Sequence, residues 1–210
     1  MNPSRIERVT KAANSRWVDI GIVVENVQDI RNLGAVIRTC EAFGIYHIYA
    51  LFTNSEFEDL TEIKLGKRSS MGARQWVKVH LYKDRQKCFS ALRNKYKNIL
   101  ASILSNDGRL LHDLNFSESF ALVFGNESLG ITRETLDLCD GSFYIPMMGL
   151  SESLNLSNAC SISVYEIFRQ RLMNPPTITE DMQIERSQIE AEYLYNMQRK
   201  NRIRTSKISS

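Results

Sequence analysis

Between Ile20 and Phe52 the sequence alternates apolar runs with a helical stripe, a pattern that few folds accept. Ile20–Val27 is a short run rich in β-branched residues, and the polar stretch Gln28–Arg31 follows it, as expected for a buried strand and its exit loop. From Asn32, the residues Leu33, Val36, Ile37, Cys40 and Phe43 recur at helical spacing, and Gly44 ends the segment as a helix cap. Tyr46–Phe52 reads as a second strand. Strand, helix and strand with short connections make a βαβ unit, which implies parallel strands and a right-handed crossover. The alternation continues with strands at Trp76–Tyr82, Ile99–Leu104, Phe120–Phe124 and Phe143–Ile145. Helices are expected at Asp84–Tyr96, Thr132–Cys139 and Ser153–Arg171. The class is α/β, with a mainly parallel sheet flanked by helices.

A chain of 210 residues, 43% hydrophobic and 24% charged, suits one core with a short appendage rather than two full domains. The first 17 residues read as a basic helical segment, residues 18–173 as the α/β domain, and residues 174–210 as an appended helix with a basic tail. Pro175 and Pro176 break helical continuity, and Thr177 to Glu180 has the spacing of a capping box. Ile189, Tyr193, Leu194 and Met197 mark one face of that final helix. No apolar run reaches membrane-spanning length, and Arg5, Glu7 and Arg8 precede any apolar stretch, so a cytoplasmic location is expected. Cys40, Cys88, Cys139 and Cys160 lack the paired spacing of a zinc or redox site and read as reduced, mostly buried thiols. His47, His80 and His112 are as dispersed, which leaves a metal site without support.

The net charge of +3 is segregated along the chain. Lys64 to Lys97 holds eleven Lys or Arg against the single acid Asp84, and the tail carries Arg199, Lys200, Arg202, Arg204 and Lys207 with no acid. With the basic N-terminal segment this makes three cationic islands, each either a solvated face or a phosphate contact, and together they favour nucleic acid. Gly66, Ser69, Ser70 and Gly72, set among basic residues, suggest an exposed binding loop.

In open α/β sheets ligands bind beyond the carboxyl ends of the strands. Three segments stand there: Asn32-Leu-Gly-Ala-Val-Ile-Arg38-Thr39, Gly125-Asn-Glu127-Ser-Leu-Gly130, and Ile145-Pro-Met147 leading to Ser153-Leu154-Asn155. Each polar residue also has a structural use. Asn32 can cap a helix, Ser153 and Asn155 can cap the long one, and Glu127 can complement a helix N-terminus. Arg38 lies beside the apolar stripe of its helix, where such a residue commonly extends its charge to water.

Taken together and in this order, the three segments resemble the three motifs of the TrmH/SpoU family of RNA ribose 2′-O-methyltransferases, in the SPOUT superfamily. The family patterns are Asn-x-Gly-Ala-x-x-Arg-Thr, Gly-x-Glu-x-x-Gly and Ile-Pro-Met…Ser-Leu-Asn, and the resemblance covers residues 18–171. Asn158 stands where the family usually has an apolar residue, and Asn126 fills a variable place. The resemblance implies a deep trefoil knot in the C-terminal part of the domain and a homodimer whose two chains build each active site. It implies S-adenosylmethionine as cofactor, held by Ser102, Gly125, Ile145, Met147 and Leu154. It also implies a catalytic set of Arg38, Asn32, Glu127, Ser153 and Asn155.

The implied reaction is an in-line displacement, in which a ribose 2′-oxygen attacks a sulfonium methyl. A guanidinium suits stabilisation of the developing charge better than proton removal, because arginine stays protonated in proteins. The short N-terminal segment and the basic C-terminal helix resemble the subgroup that methylates the D-loop guanosine at position 18 of tRNA. Ribosomal RNA, an anticodon-loop nucleotide and a non-catalytic RNA-binding role are the other readings. A dinucleotide enzyme is disfavoured, because Glu25 to Asp29 replaces the glycine-rich turn after the first strand.

Overall fold

The apolar run at Ile20 belongs to a nine-residue strand, β1 (Trp17–Glu25), whose last six residues are all buried. The computed structural model describes residues 3–54, 70, 72–104 and 108–206, with side chains up to Arg199. Gly66, Ser69 and most of the basic loop's lysines lie outside the described residues, as do the tail's charged side chains beyond Arg199. Of that loop, Ser70 is buried rather than exposed, while Gly72 is exposed with φ +90°.

After β1 come α2 (Ile30–Ala42), β2 (Ile45–Leu51), β3 (Lys78–Tyr82), α3 (Arg85–Arg93), β4 (Asn98–Ser102) and β5 (Arg109–Leu110). They are followed by β6 (Phe120–Phe124), α4 (Arg133–Leu136), β7 (Gly141–Tyr144) and α5 (Leu156–Met173). The helices α1 (Pro3–Asn14) and α6 (Glu180–Ser206) stand before and after this series. The seven strands form one sheet in the order β3-β2-β1-β6-β4-β7-β5. The pairs β1 with β6, β2 with β3, β4 with β6, β4 with β7 and β5 with β7 are parallel. The β2 strand is buried throughout its length, as a strand covered on both faces must be.

Several boundaries differ from the periodicity, each for a local reason. Asp29, not Asn32, caps α2, because its carboxylate accepts the Arg31 N–H at 2.8 Å; Asn32 therefore sits in the first turn. Asn155 caps α5 by accepting the Ser157 N–H at 2.9 Å, which leaves Ser153 in the preceding loop. Thr179 rather than Thr177 opens α6, its hydroxyl accepting the Met182 N–H at 3.3 Å. The strand β5 is only two residues long, too short for any alternation to register.

The chain divides into two compact units, one of Asp19–Pro176 and one joining the residues up to Val18 with those from Thr177. In the second unit α1 and α6, which the sequence places in separate segments, pack on each other. Glu190 accepts from Thr10 Oγ1 at 2.7 Å and Asn14 Nδ2 at 3.2 Å, and Ile189, Tyr193 and Met197 are buried. Among the described residues no helix is long and apolar enough to cross a membrane, and no group of side chains could hold a metal ion.

Within the larger unit, the last turn of α5 is pinned by a buried cation. Arg171, 1% exposed, donates to Asp19 Oδ1 at 2.8 Å, to the Phe116 carbonyl at 2.9 Å and to the Glu118 carbonyl at 3.1 Å. It ties the far end of α5 to the amino-terminal edge of the sheet, opposite the end that carries the three motifs. Removing one partner of a buried pair leaves the other uncompensated. Asp19→Ala is therefore expected to lower stability by about 3 kcal/mol, read as a fall in the urea midpoint without a change in slope.

Candidate active site

The site follows from strand order. Successive strands run outward from β1 to β2 and β3, and the rest of the sheet lies on the other side, so the connections diverge between β1 and β6. At such a switch point a crevice opens beyond the carboxyl ends. Into it come the start of α2 after β1, the turn 125–132 after β6, the end of β4, and the loop 145–155 after β7.

Three side chains from the three motif segments are joined there by hydrogen bonds. Glu127 Oε1 accepts from Asn32 Nδ2 at 2.7 Å, and Asn32 Oδ1 accepts from Asn155 Nδ2 at 3.2 Å. Asn155 Oδ1 in turn accepts from Ser157 N at 2.9 Å and Ser157 Oγ at 2.6 Å. A carboxylate only accepts and a backbone N–H only donates, so the two ends fix how both amides are turned. Each amide keeps a second N–H for an oxygen of a ligand. Glu127 also accepts the Gln28 N–H at 3.2 Å, which ties its turn to the loop after β1.

The turn that presents Glu127 is a closed hairpin. Asn126 and Gly130 exchange two backbone hydrogen bonds, at 2.9 and 3.0 Å, and the Asn126 side chain accepts the N–H groups of Ser128 and Leu129. Asn126 Nδ2 donates to the Asn26 carbonyl at 2.7 Å. Gly130 has φ +68°, and a side chain at Gly125 would place its Cβ 2.1 Å from the Gly130 carbonyl carbon. Gly125 lies where the hairpin closes on itself, and it is not among the residues that line the neighbouring cleft.

That cleft is open to solvent and is lined by Ser102, Ile103, Leu104, Ile145, Met147, Leu154 and Ala159. It brings together Ser102 from β4 with Ile145, Met147 and Leu154 from the loop after β7. An apolar slot edged by backbone groups is the surface a purine ring requires. Ile103, Leu104 and Ala159 escaped the sequence reading because apolar residues after a strand and inside a helix look like core. Arg38 and Ser153 are both exposed. Arg38 is six residues beyond Asn32 on α2, which on an ideal helix turns it about 120° round the axis and sets it about 9 Å further along.

Burial pushes Cys88 and Cys139 up to about 12, so both remain protonated and unreactive at neutral pH.

Polar groups converging from several loops beside an apolar cleft at a switch point define an α/β domain built to hold a small organic ligand and a polar reactant together. The chain belongs to the SpoU rRNA methylase family, whose model matches residues 19–165. It is 31% identical over 169 residues to a tRNA (guanosine(18)-2′-O)-methyltransferase of Thermus thermophilus, covering 80% of this chain and 84% of that one. Its fold is similar to that of the A. aeolicus TrmH/SpoU tRNA modifying enzyme, with a TM-score of 0.78 at 26% identity, over 92% of this chain and 96% of the other. The SpoU methyltransferase AviRb from Streptomyces viridochromogenes, crystallised with AdoMet, shares the fold with a TM-score of 0.63 at 23% identity, over 72% and 57% of the two chains.

The hairpin geometry sets a direct expectation. Gly125→Ala should displace the Gly130–Ile131 backbone and so move Glu127 off Asn32. Loss of any activity that depends on the turn, with a stability cost of about 2 kcal/mol in thermal unfolding, is the expected result.

Proposed function

We propose that the protein transfers the methyl group of S-adenosylmethionine to a ribose 2′-hydroxyl of tRNA, at the guanosine at position 18. The observation that carries this reading is the side-chain chain Glu127–Asn32–Asn155, drawn from three motif segments and set at the same end of the sheet as an apolar cleft. The T. thermophilus relative, whose name specifies that nucleotide and that oxygen, supports the substrate.

Ser102, Ile145, Met147 and Leu154, with the backbone of Gly125, would hold the cofactor, and the cleft that the first four line is apolar enough for its adenine. When bound, S-adenosylmethionine supplies an electrophilic methyl on a sulfonium. The protein's own part is to place and activate the attacking oxygen. The second N–H of Asn32 and of Asn155 can each donate to a ribose or phosphate oxygen, and Glu127 holds Asn32 in the orientation that allows it. Arg38 stabilises the negative charge that develops on the 2′-oxygen, and Ser153 offers a hydroxyl to the ribose or its phosphate.

One protomer leaves Arg38 on a different side of α2 from Asn32, so the site is completed by a second copy, as a homodimer. Ile162, Tyr165, Leu172 and Met173 on α5 support this, since all four are more than a third exposed. The C-terminal part of the sheet domain threads as a trefoil knot, as the resemblance to the TrmH/SpoU family implies. A cytoplasmic location accords with a tRNA substrate.

Arg38→Ala tests the chemistry. With unmodified tRNA transcript, methyl transfer should fall at least about a hundredfold while calorimetric affinity for S-adenosylmethionine and the dimer are retained; undiminished turnover refutes the role. Mapping the alkali-resistant linkage in total RNA identifies the nucleotide, and a ribosomal or anticodon position would replace the substrate named here. Deleting residues 196–210, which carry five basic residues, should weaken tRNA binding and flatten its salt dependence by about 0.9 in log–log slope per lost phosphate contact. Unchanged binding would remove the tail from the interface.

A further inference from the structure

Glu25 ends β1 with a carboxylate that is fully buried, an unusual place for an acid. Its Oε1 accepts from Thr135 Oγ1 at 2.6 Å, Thr132 Oγ1 at 2.8 Å and Arg85 Nη2 at 3.5 Å, and its Oε2 accepts the Thr132 N–H at 2.9 Å. Arg85 reaches the same two hydroxyls, through Nε to Thr135 at 2.8 Å and through Nη2 to Thr132 at 3.0 Å. A guanidinium only donates and a carboxylate only accepts, so each hydroxyl must accept from Arg85 and donate to Glu25. The hydroxyl protons of Thr132 and Thr135 are thereby assigned.

Stability alone does not account for this cluster. A buried ion pair is on average no better than apolar residues of the same volume, and it can be worse. Arg85 is moreover in the first turn of α3, where a cation opposes the helix dipole. What the cluster does is geometric. Asn126 opens the Glu127 hairpin, and Thr132 stands two residues beyond Gly130, where the hairpin closes, at the start of α4. Asn126 is held by the Asn26 carbonyl. Asn26 itself has φ +50°, and its side chain bonds Thr53 twice, accepting the Thr53 N–H at 2.8 Å and donating to Thr53 Oγ1 at 3.0 Å. Two consecutive residues at the end of β1, Glu25 and Asn26, therefore grip the two ends of the turn that carries Glu127.

We infer that Glu25, with Arg85 as its counter-ion, is a positioning residue for the methyl-transfer reaction, acting by fixing the hairpin so that Glu127 holds the Asn32 amide in register with Asn155. The inference rests on the function proposed above. Glu25 touches neither the cleft nor the reacting groups, so its effect should appear in turnover and not in cofactor binding.

The test uses the full chain with tRNA transcript and S-adenosylmethionine. Glu25→Gln keeps the shape, but its amide nitrogen must face either the Thr132 N–H or two hydroxyl donors. It should lower kcat about tenfold or more with cofactor affinity within about twofold of the parent, and Glu25→Asp should recover part of the loss. Combined with Glu127→Gln, it should add little to the loss that Glu127→Gln causes alone, because both act through one element. Multiplicative losses, or a fall in kcat that only tracks the folded fraction, would overturn the inference. So would full activity of Glu25→Gln. If that variant does not fold, Thr132→Val decides instead, since it deletes one hydroxyl and leaves the N–H bond; kcat should fall about threefold or more at unchanged cofactor affinity, and parental kcat refutes the role. A parent protein that fails to methylate tRNA would instead sink the proposed function, which separates the two failures.

Discussion

Strands β1 and β6 lie side by side in parallel register, Ile20 against Phe120 and Val24 against Phe124, although a hundred positions separate them. That pairing brings the loop after β1 and the turn after β6 to one place. Both strands are apolar and buried at their paired positions, so the register is fixed by the core rather than by the loops. A one-residue slip would turn every paired side chain to the opposite face and carry Asn32 away from Glu127. The functional groups therefore inherit their spacing from hydrophobic packing, and the polar contacts refine it.

The refinement is done at the carboxyl end of β1. Glu25 and Asn26 follow an uninterrupted apolar run, and each is buried with hydrogen bonds to the turn after β6. Buried polar groups that are fully paired define one arrangement, because any other leaves a donor or acceptor without a partner. At the opposite end of the sheet, Arg171 and Asp19 do the equivalent work for α5. The long helix is thus fixed at its last turn by a buried ion pair, and at its first by Asn155, which also belongs to the site. Structure and site share that residue, which is why a cap and a ligand contact need not be competing descriptions of it.

The α/β class and the main strands were legible because buried parallel strands are written as apolar runs and α2 carries a clean helical stripe. Boundaries were less legible where caps decide them. Asp29 lay in polar sequence that offered several caps, and Ser153 and Asn155 were equally good caps for α5 until the backbone turned between them. The three motif segments marked where the chemistry would lie, but the sequence could not reveal that Asn32, Glu127 and Asn155 bond one another. Glu25 carried one signal that might be read in retrospect: an acid closing a run of buried residues must find partners. Its partners, Arg85, Thr132 and Thr135, are sixty or more positions away and invisible to any local pattern. Gly125 shows the converse, a motif residue whose place is explained by hairpin closure against Gly130.

Methyl transfer by this protein requires one spatial relation: a sulfonium donor in the cleft of Ser102, Ile145, Met147 and Leu154, next to the amides that Glu127 holds in place. A crystal structure of the protein with S-adenosylmethionine measures it directly. The expected density has the adenine against those residues and the methyl group directed toward Asn32 and Asn155, with Arg38 of a second protomer facing the same space. A donor bound elsewhere, or a methyl group turned away from the amides with Arg38 facing bulk water, would contradict the account.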